Sequence, residues 1–384
     1  MDLDRFRNLQ PQRVHLHPRF NLLLGSNGQG KTNFLEAVGY LGTLRSFRAA
    51  GRNEMIRRGE NMCRVSGEIV SGDIEKNLAF TLNRKERVQL VDNQKVSSPE
   101  SYLRAVKTVH FIPEDVNLVS GPPLWRRKVV DRSVFEVAPD YVTEYRRFLA
   151  ALRQRNALIR KGCATREEMS GWNEILANTG AVLVKRRWDL LQALKPKMEE
   201  LGDNFGLGKG LHLAYIPSFD LFTAGKGFRS ERPLVDFSVF SGIKRNEIRT
   251  GILESLKSES GKEAKAGHTL IGPHRDNIYF LMGEPGTVTD LARYGSQGQK
   301  RSAILAFKMS QAMVLAEVYG EWPIVILDDV ASELDDQRRK TLGSLVQKME
   351  AQFFISTTGE EYMFLPAGEG NIWKVSDGLL EQFS

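Results

Sequence analysis

Cysteine is almost missing from this chain: Cys63 and Cys163 are the only two in 384 residues. Two thiols so far apart supply neither a disulfide framework nor a metal-ligand cluster, which points to a reduced, cytosolic setting. No apolar run approaches the ~20 residues a membrane span needs. The first residues, with Asp2, Asp4, Arg5 and Arg7, lack the pattern of a signal peptide. Repeats and low-complexity tracts are absent, and no heptad run is long enough for an extended coiled-coil arm. Nothing outside the motifs below gathers the carboxylates a metal-dependent nuclease would need.

What is present is a globular composition. Hydrophobic residues at 41% and charged residues at 26% suit a soluble protein whose core is large enough for two lobes. A formal net charge of +7 favours a polyanionic partner without naming one.

Two motifs at opposite ends of the chain complete one another. Gly25-Ser26-Asn27-Gly28-Gln29-Gly30-Lys31-Thr32 is a full GxxxxGK[ST] phosphate loop. Gly25, Gly28 and Gly30 can take the positive φ that turns backbone N–H groups inward, Lys31 can reach the β- and γ-phosphates, and Thr32 can hold Mg²⁺. The apolar Phe20-Asn21-Leu22-Leu23-Leu24 predicts a buried strand before the loop, and Phe34, Leu35, Val38, Leu41 and Leu44 predict a helix after it. Near the other end, Pro323 to Leu327 predicts a buried strand that delivers Asp328 as a metal ligand and Asp329 as a base for an attacking water. Between them, Ser296-Gln297-Gly298-Gln299 opens an apolar helix and reads either as a second phosphate-binding helix end or as a plain N-cap.

Together these segments resemble the ABC-type ATPase heads of the SMC and RecF group, and within it the RecF branch. The phosphate loop with Asn33 and Leu35-Glu36-Ala37, the Ser296–Gln299 loop, and Leu327-Asp328-Asp329-Val330 with Ser332-Glu333-Leu334-Asp335 carry the group resemblance. Ile112-Pro113-Glu114-Asp115-Val116 with Gly121-Pro122, Arg126-Arg127 and Asp131, and Ile271-Gly272-Pro273-His274-Arg275-Asp276, carry the RecF resemblance. It spans nearly the whole chain in the expected order. It implies an α/β fold: an ABC-type P-loop ATPase head (lobe I, a mixed sheet with helices) from 1–134 and 264–384, and an inserted, mainly helical lobe II over 135–263. The insert is too short for an SMC arm.

The resemblance further implies ATP and Mg²⁺ as cofactors, with Gly25 to Asn33 and Ser296 to Gln299 at the nucleotide, Thr32 and Asp328 at the metal, and Lys31, Asp328 and Asp329 as the chemical groups. It implies a head dimer formed on ATP, slow hydrolysis as a switch, DNA gaps or junctions as cargo, and a part in RecA loading with RecO and RecR and in the SOS response. A transporter motor or an ABC-linked nuclease are the rival readings. There are departures. The family's first strand starts a few residues earlier, so either Met1 is an internal start or the strand is clipped. Glu114 or Asp115 stands near the usual glutamine, Thr357 or Thr358 near the usual switch histidine, and Asp329 replaces a longer glutamate.

For DNA, Arg52, Arg57, Arg58, Arg126, Arg127 and Lys128 are the backbone-contacting candidates. Further basic clusters lie at Arg45 and Arg48, Arg146 and Arg147, Arg153 to Lys161, and Lys185 to Arg187, with few aromatics among them, which predicts little base stacking. In SMC-like heads an arginine after the first helix reaches the nucleotide, which makes Arg45 or Arg48 the counterpart. His274 reads as structural rather than catalytic.

Overall fold

The computed structural model describes residues 1–48, 51–72, 74–96, 102, 106–162, 165–220, 242–284, 287–330, 334–359 and 369–383. They form two compact units: Met1–Asp115 with Phe307–Ser384, and Val116–Ala306. The expected cuts at 134/135 and 263/264 fall inside the second unit. Cys163, Ser332, Glu333 and residues 221–241 lie outside the described residues.

The first unit is built on a six-stranded sheet in the order Leu379–Phe383, Gly370–Ser376, Phe20–Leu24, Phe353–Thr357, Ile324–Leu327 and Thr108–Phe111. All neighbours are parallel except the C-terminal hairpin. Phe20–Leu24 is buried at every position, as a central parallel strand covered on both faces requires. Its one polar residue, Asn21, is satisfied locally: its amide donates to the His17 carbonyl at 2.8 Å and accepts the His17 N–H at 2.9 Å.

A second, antiparallel sheet runs Gln12–Arg13, Asp2–Asp4, Met62–Ser71, Ile74–Asn83, Arg87–Val91, Gln94–Lys95. The helix Lys31–Thr43 belongs to one core with both sheets. Phe34 meets Phe354 of the parallel sheet at 6.3 Å between ring centres, and Tyr40 meets Phe80 of the antiparallel sheet at 4.6 Å. Eleven of its thirteen residues are buried, so its sequence carries only a weak polar face. The Asp92-Asn93 pair, set between Val88–Val91 and Gln94–Val96, predicts a hairpin from sequence; the turn is present, and both residues take the left-handed φ that a two-residue turn demands, 50° and 61°.

The second unit is mainly helical. Pro123–Val137, Tyr141–Lys161, Arg166–Asn204 and Arg245–Ser258 surround a small sheet of His212–Ile216, Asn277–Met282 and Thr289–Asp290. Gly162 ends one long helix in the left-handed conformation, and Thr165 starts the next with a reciprocal capping box to Glu168. Pro196 lies inside this 39-residue helix. The β-branched and apolar Thr269-Leu270-Ile271 predicts a strand from sequence, but it is instead an irregular approach to the Gly272–Arg275 turn. Side chains take the backbone donors that a ladder would use: Asn156 Oδ1 accepts the Thr269 N–H at 2.7 Å, and Glu263 Oε1 accepts the Leu270 N–H at 2.8 Å. No described helix is long and apolar enough to cross a membrane.

Candidate functional site

The phosphate loop follows from its strand. Gly25 leaves Phe20–Leu24 where a Cβ would sit 2.4 Å from the Val375 carbonyl oxygen, so only glycine fits. Gly30 turns the chain into the helix Lys31–Thr43 with φ 117°. Gly28 also has positive φ, as expected. That helix begins with no side-chain cap and no acidic residue in its first turn. A positive helix end left without its own anion suits a phosphate. Ser26, Asn27 and Gly28 at the tip are exposed.

Two loop residues have structural duties. Gln29 Oε1 accepts the Asp377 N–H at 2.8 Å, and the Gln29 carbonyl accepts the Gly378 N–H at 2.9 Å, which ties the loop to the C-terminal hairpin turn. The Asn33 amide donates to Asn8 Oδ1 at 2.7 Å and accepts from Arg48 at 3.0 Å. Their side chains brace the loop. Arg48 is thereby placed beside the residue that follows Thr32.

Lys31 is buried, and its ammonium donates to the Gly25 carbonyl and, at 3.0 Å, to the Ser26 carbonyl. Burial pushes its pKa down, opposed by the charges of Asp329 and Asp328. Thr32 Oγ1 donates to Asp328 Oδ1 at 3.1 Å across 296 positions of sequence. The strand Phe353–Thr357 lies between the loop strand and Ile324–Leu327, and its Ser356 hydroxyl donates to the same Asp328 oxygen at 2.6 Å. Burial pushes the Asp328 carboxyl up, held back by the Ser356 and Thr32 hydrogen bonds and reinforced by Asp329 and Glu114. Asp329 follows with φ 49°. A hydroxyl bonded to a buried carboxylate is a donor pair of the type that hard divalent cations take together with water and phosphate oxygens, so Thr32 and Asp328 fit Mg²⁺.

Of the two candidates near the usual glutamine position, Asp115 is engaged in structure. It accepts the Ile112 N–H at 3.1 Å and pairs with Lys308 at 3.3 Å. Glu114 is exposed and close enough to raise the Asp328 carboxyl. Thr357 is buried, with its hydroxyl 3.4 Å from the Gly359 carbonyl, while Thr358 is exposed. Sequence reasoning missed Ser356 altogether. Its signal was a place as the first of three hydroxyl side chains, Ser356-Thr357-Thr358, after the apolar run Phe353-Phe354-Ile355.

The Ser296 loop belongs to the second unit. Ser296 and Gln299 form a reciprocal cap: the Ser296 N–H donates to Gln299 Oε1 at 2.8 Å, and Ser296 Oγ accepts the Gln299 N–H at 3.2 Å. Ser296 and Gln297 are exposed at the start of the helix Gln297–Tyr319, and Gly298 is half-buried.

The basic candidates divide sharply. Arg52 and Arg58 are exposed and Arg57 is half-buried; Arg52 also donates to the Lys85 carbonyl at 3.0 Å. Lys128 is exposed. Arg126 is a correction: it is 7% exposed, and its guanidinium donates to the carbonyls of Leu118, Val119 and Gly121 and to Asn277. Arg127 donates to the Asp276 carbonyl at 2.6 Å and is half-buried. Arg155 and Arg187, also read as surface cations, are buried inside ion pairs with Glu263 and Asp131. Arg187 donates besides to the Pro273 carbonyl at 2.7 Å. The stretch from Gly121 to Asp131 and the segment Ile271–Asp276, which carried the RecF resemblance separately, are therefore one hydrogen-bonded module. His274 lies within it, packed on Phe148 at 5.7 Å, with its pKa pushed by burial to about 4; its role is structural, as expected.

Residues 1–369 match the family described as the RecF/RecN/SMC N terminal domain. A DNA replication and repair protein RecF from Geotalea uraniireducens (strain Rf4) is 32% identical over 380 residues, covering 97% of this chain and 96% of that protein. The chain belongs to the RecF family. A solved structure of the recombination mediator protein RecF with ATP, in the RecFOR pathway, superposes with a TM-score of 0.83 at 29% identity, over 100% of this chain and 96% of that one. An Smc head bound to the C-winged helix domain of ScpA shares the fold at 14% identity, with a TM-score of 0.55 over 100% of this chain and 95% of that one. The fold is that of an α/β ABC-type ATPase head.

Proposed function

We propose that this RecF-family chain is an ATP-binding protein of DNA replication and recombinational repair that works as a two-headed clamp. The observation that carries the reading is the meeting of Lys31, Thr32, Asp328 and Asp329 at one turn, from motifs at opposite ends of the chain. The names of the relatives, and the ATP in the RecF neighbour, support it. Lys31 and the loop N–H groups hold the β- and γ-phosphates. Thr32 and Asp328 hold Mg²⁺, which when bound neutralises charge on the phosphates. Asp329 orients the attacking water. A second copy presents its exposed Ser296 and half-buried Gly298 to the γ-phosphate, so ATP joins two heads.

Closed heads hold DNA through exposed cations, of which Arg52, Arg58 and Lys128 are the described candidates, with Arg57 at their margin. The preferred cargo is a gap or a single-strand/duplex junction, and release follows hydrolysis. Asp329 is one methylene shorter than the glutamate common in ABC ATPases, which makes hydrolysis slow and ATP a timer. The pathway role is RecA loading with RecO and RecR and support of the SOS response, in the cytoplasm. The compact helical lobe separates the chain from long-armed SMC proteins.

Fluorescence anisotropy of gapped DNA tests this reading with ATP, with ADP and without nucleotide, on wild type and Lys31→Ala. ATP should tighten wild-type binding at least tenfold, and DNA should accelerate hydrolysis. Nucleotide-independent DNA binding, or ATP hydrolysis indifferent to DNA as in a transporter motor, would contradict it.

A further inference from the structure

Ser356 is fully buried near the end of the strand Phe353–Thr357, between the strand that delivers the phosphate loop and the strand that delivers the two aspartates. Its three predecessors are Phe353, Phe354 and Ile355, all buried. Packing alone would be met by alanine here, and a buried hydroxyl is favourable only when it is hydrogen-bonded. The hydroxyl is bonded on both sides. It donates to Asp328 Oδ1 at 2.6 Å and accepts the Asp329 N–H at 2.9 Å.

These two bonds act on different problems. Thr32 also donates to Asp328 Oδ1, at 3.1 Å, so two hydroxyls from two elements grip one carboxylate oxygen and fix the plane of the carboxylate. Asp329 stands at φ 49°, a conformation disfavoured for a residue with a Cβ, which persists only when its surroundings hold it. The Ser356 oxygen holds it at the amide.

We propose that Ser356 is a positioning residue for the phosphate chemistry: one hydroxyl sets the Asp328 carboxylate toward Thr32 and pins the turn that presents Asp329. The inference rests on the ATP·Mg²⁺ reading of this turn. It predicts a defect of particular shape. Removing a residue that orients a metal ligand typically lowers metal affinity 10- to 100-fold. The Ser356 hydroxyl spends its hydrogen bonds on the two aspartates, so nucleotide affinity without metal stays near wild type.

The experiment is Mn²⁺ titration followed by electron paramagnetic resonance, with ATPγS present, on full-length wild type, Ser356→Ala and Ser356→Thr, with metal-free nucleotide affinity and turnover at saturating Mg²⁺ measured alongside. Ser356→Ala should weaken Mn²⁺ about tenfold or more, leave metal-free nucleotide affinity within about twofold, and lower kcat more than it raises KM. Ser356→Thr, which keeps the hydroxyl, should restore both the metal affinity and the turnover. If the alanine variant melts too low to study, Ser356→Cys replaces it, and Mn²⁺ affinity should rank serine and threonine above cysteine, whose thiol is a weak donor. Mn²⁺ affinity and turnover within about twofold of wild type in the hydroxyl-free variant would overturn the proposal alone. Absence of any metal-dependent nucleotide binding in wild type would overturn it together with the ATP reading.

Discussion

In the first unit, Lys31, Thr32, Asp328 and Asp329 converge on one glycine turn whose helix end carries no cap of its own. In the second, charges are matched against each other. Arg187 grips Asp131 with two hydrogen bonds, at 2.6 and 2.9 Å, and reaches Tyr215 and the Pro273 carbonyl; Arg155 joins Glu263, Asn173 and Thr269. Both arginines are within 1% of full burial. The first arrangement is open to a charged ligand. The second is closed, and its value is geometric: each guanidinium fixes helices and turns that are distant in sequence. Burying a charge is costly unless every donor finds a partner, and here the partners are present.

The largest expected effect breaks the closed centre. Arg187→Met leaves the half-buried Asp131 beside Tyr141 without its counter-ion and should cost about 3 kcal/mol in urea denaturation. Arg187→Met combined with Asp131→Leu should recover part of that loss. A single variant that loses under about 1 kcal/mol would mean that the pair organises nothing.

A smaller effect comes from pH. Burial holds His274 at about 4, against 6.5 in an unfolded chain. Between those values the unfolded state binds a proton that the folded state refuses. Stability therefore falls as pH drops through this window, by about 2 kcal/mol at pH 5. His274→Phe should flatten the dependence between pH 6.5 and 4.5, and an unchanged slope would place the titration elsewhere.

Least of all, Arg58→Ala and Lys128→Ala should alter stability by no more than ~0.5 kcal/mol. Each should nonetheless reduce the salt slope of DNA binding by about 1. Arg126→Ala should do the reverse, lowering stability by uncapping the carbonyls of Leu118, Val119 and Gly121. A DNA defect in Arg126→Ala without loss of stability would break the division between surface and structural arginines.

That division marks where sequence reasoning stopped. Features fixed by local chemistry were legible: the glycine loop, its flanking strand and helix, the acidic strand, the Asp92-Asn93 hairpin, and the structural reading of His274. A left-handed turn or an apolar run shows itself within a few residues. The buried arginines did not, because their sequence neighbours Lys185, Arg186, Arg153 and Arg127 look the same on paper. Arg187 finds Asp131 across 56 positions and Arg126 finds Asn277 across 151. Thr269–Ile271 misled for the same reason: Asn156 and Glu263 capture its backbone donors. Ser356 was hidden by its ordinariness, since only the sheet order shows that it stands beside both aspartates.

The most direct test of the two-headed clamp is solution mass by light scattering, with and without ATP, on wild type and Ser296→Arg. Position 296 is exposed, and the arginine should block a partner's γ-phosphate while leaving a subunit's own nucleotide binding intact. The account predicts an ATP-dependent doubling of mass for wild type and a monomer for Ser296→Arg, with both binding ATP. Wild type that binds ATP and stays monomeric, or a variant that dimerises as well as wild type, would contradict it.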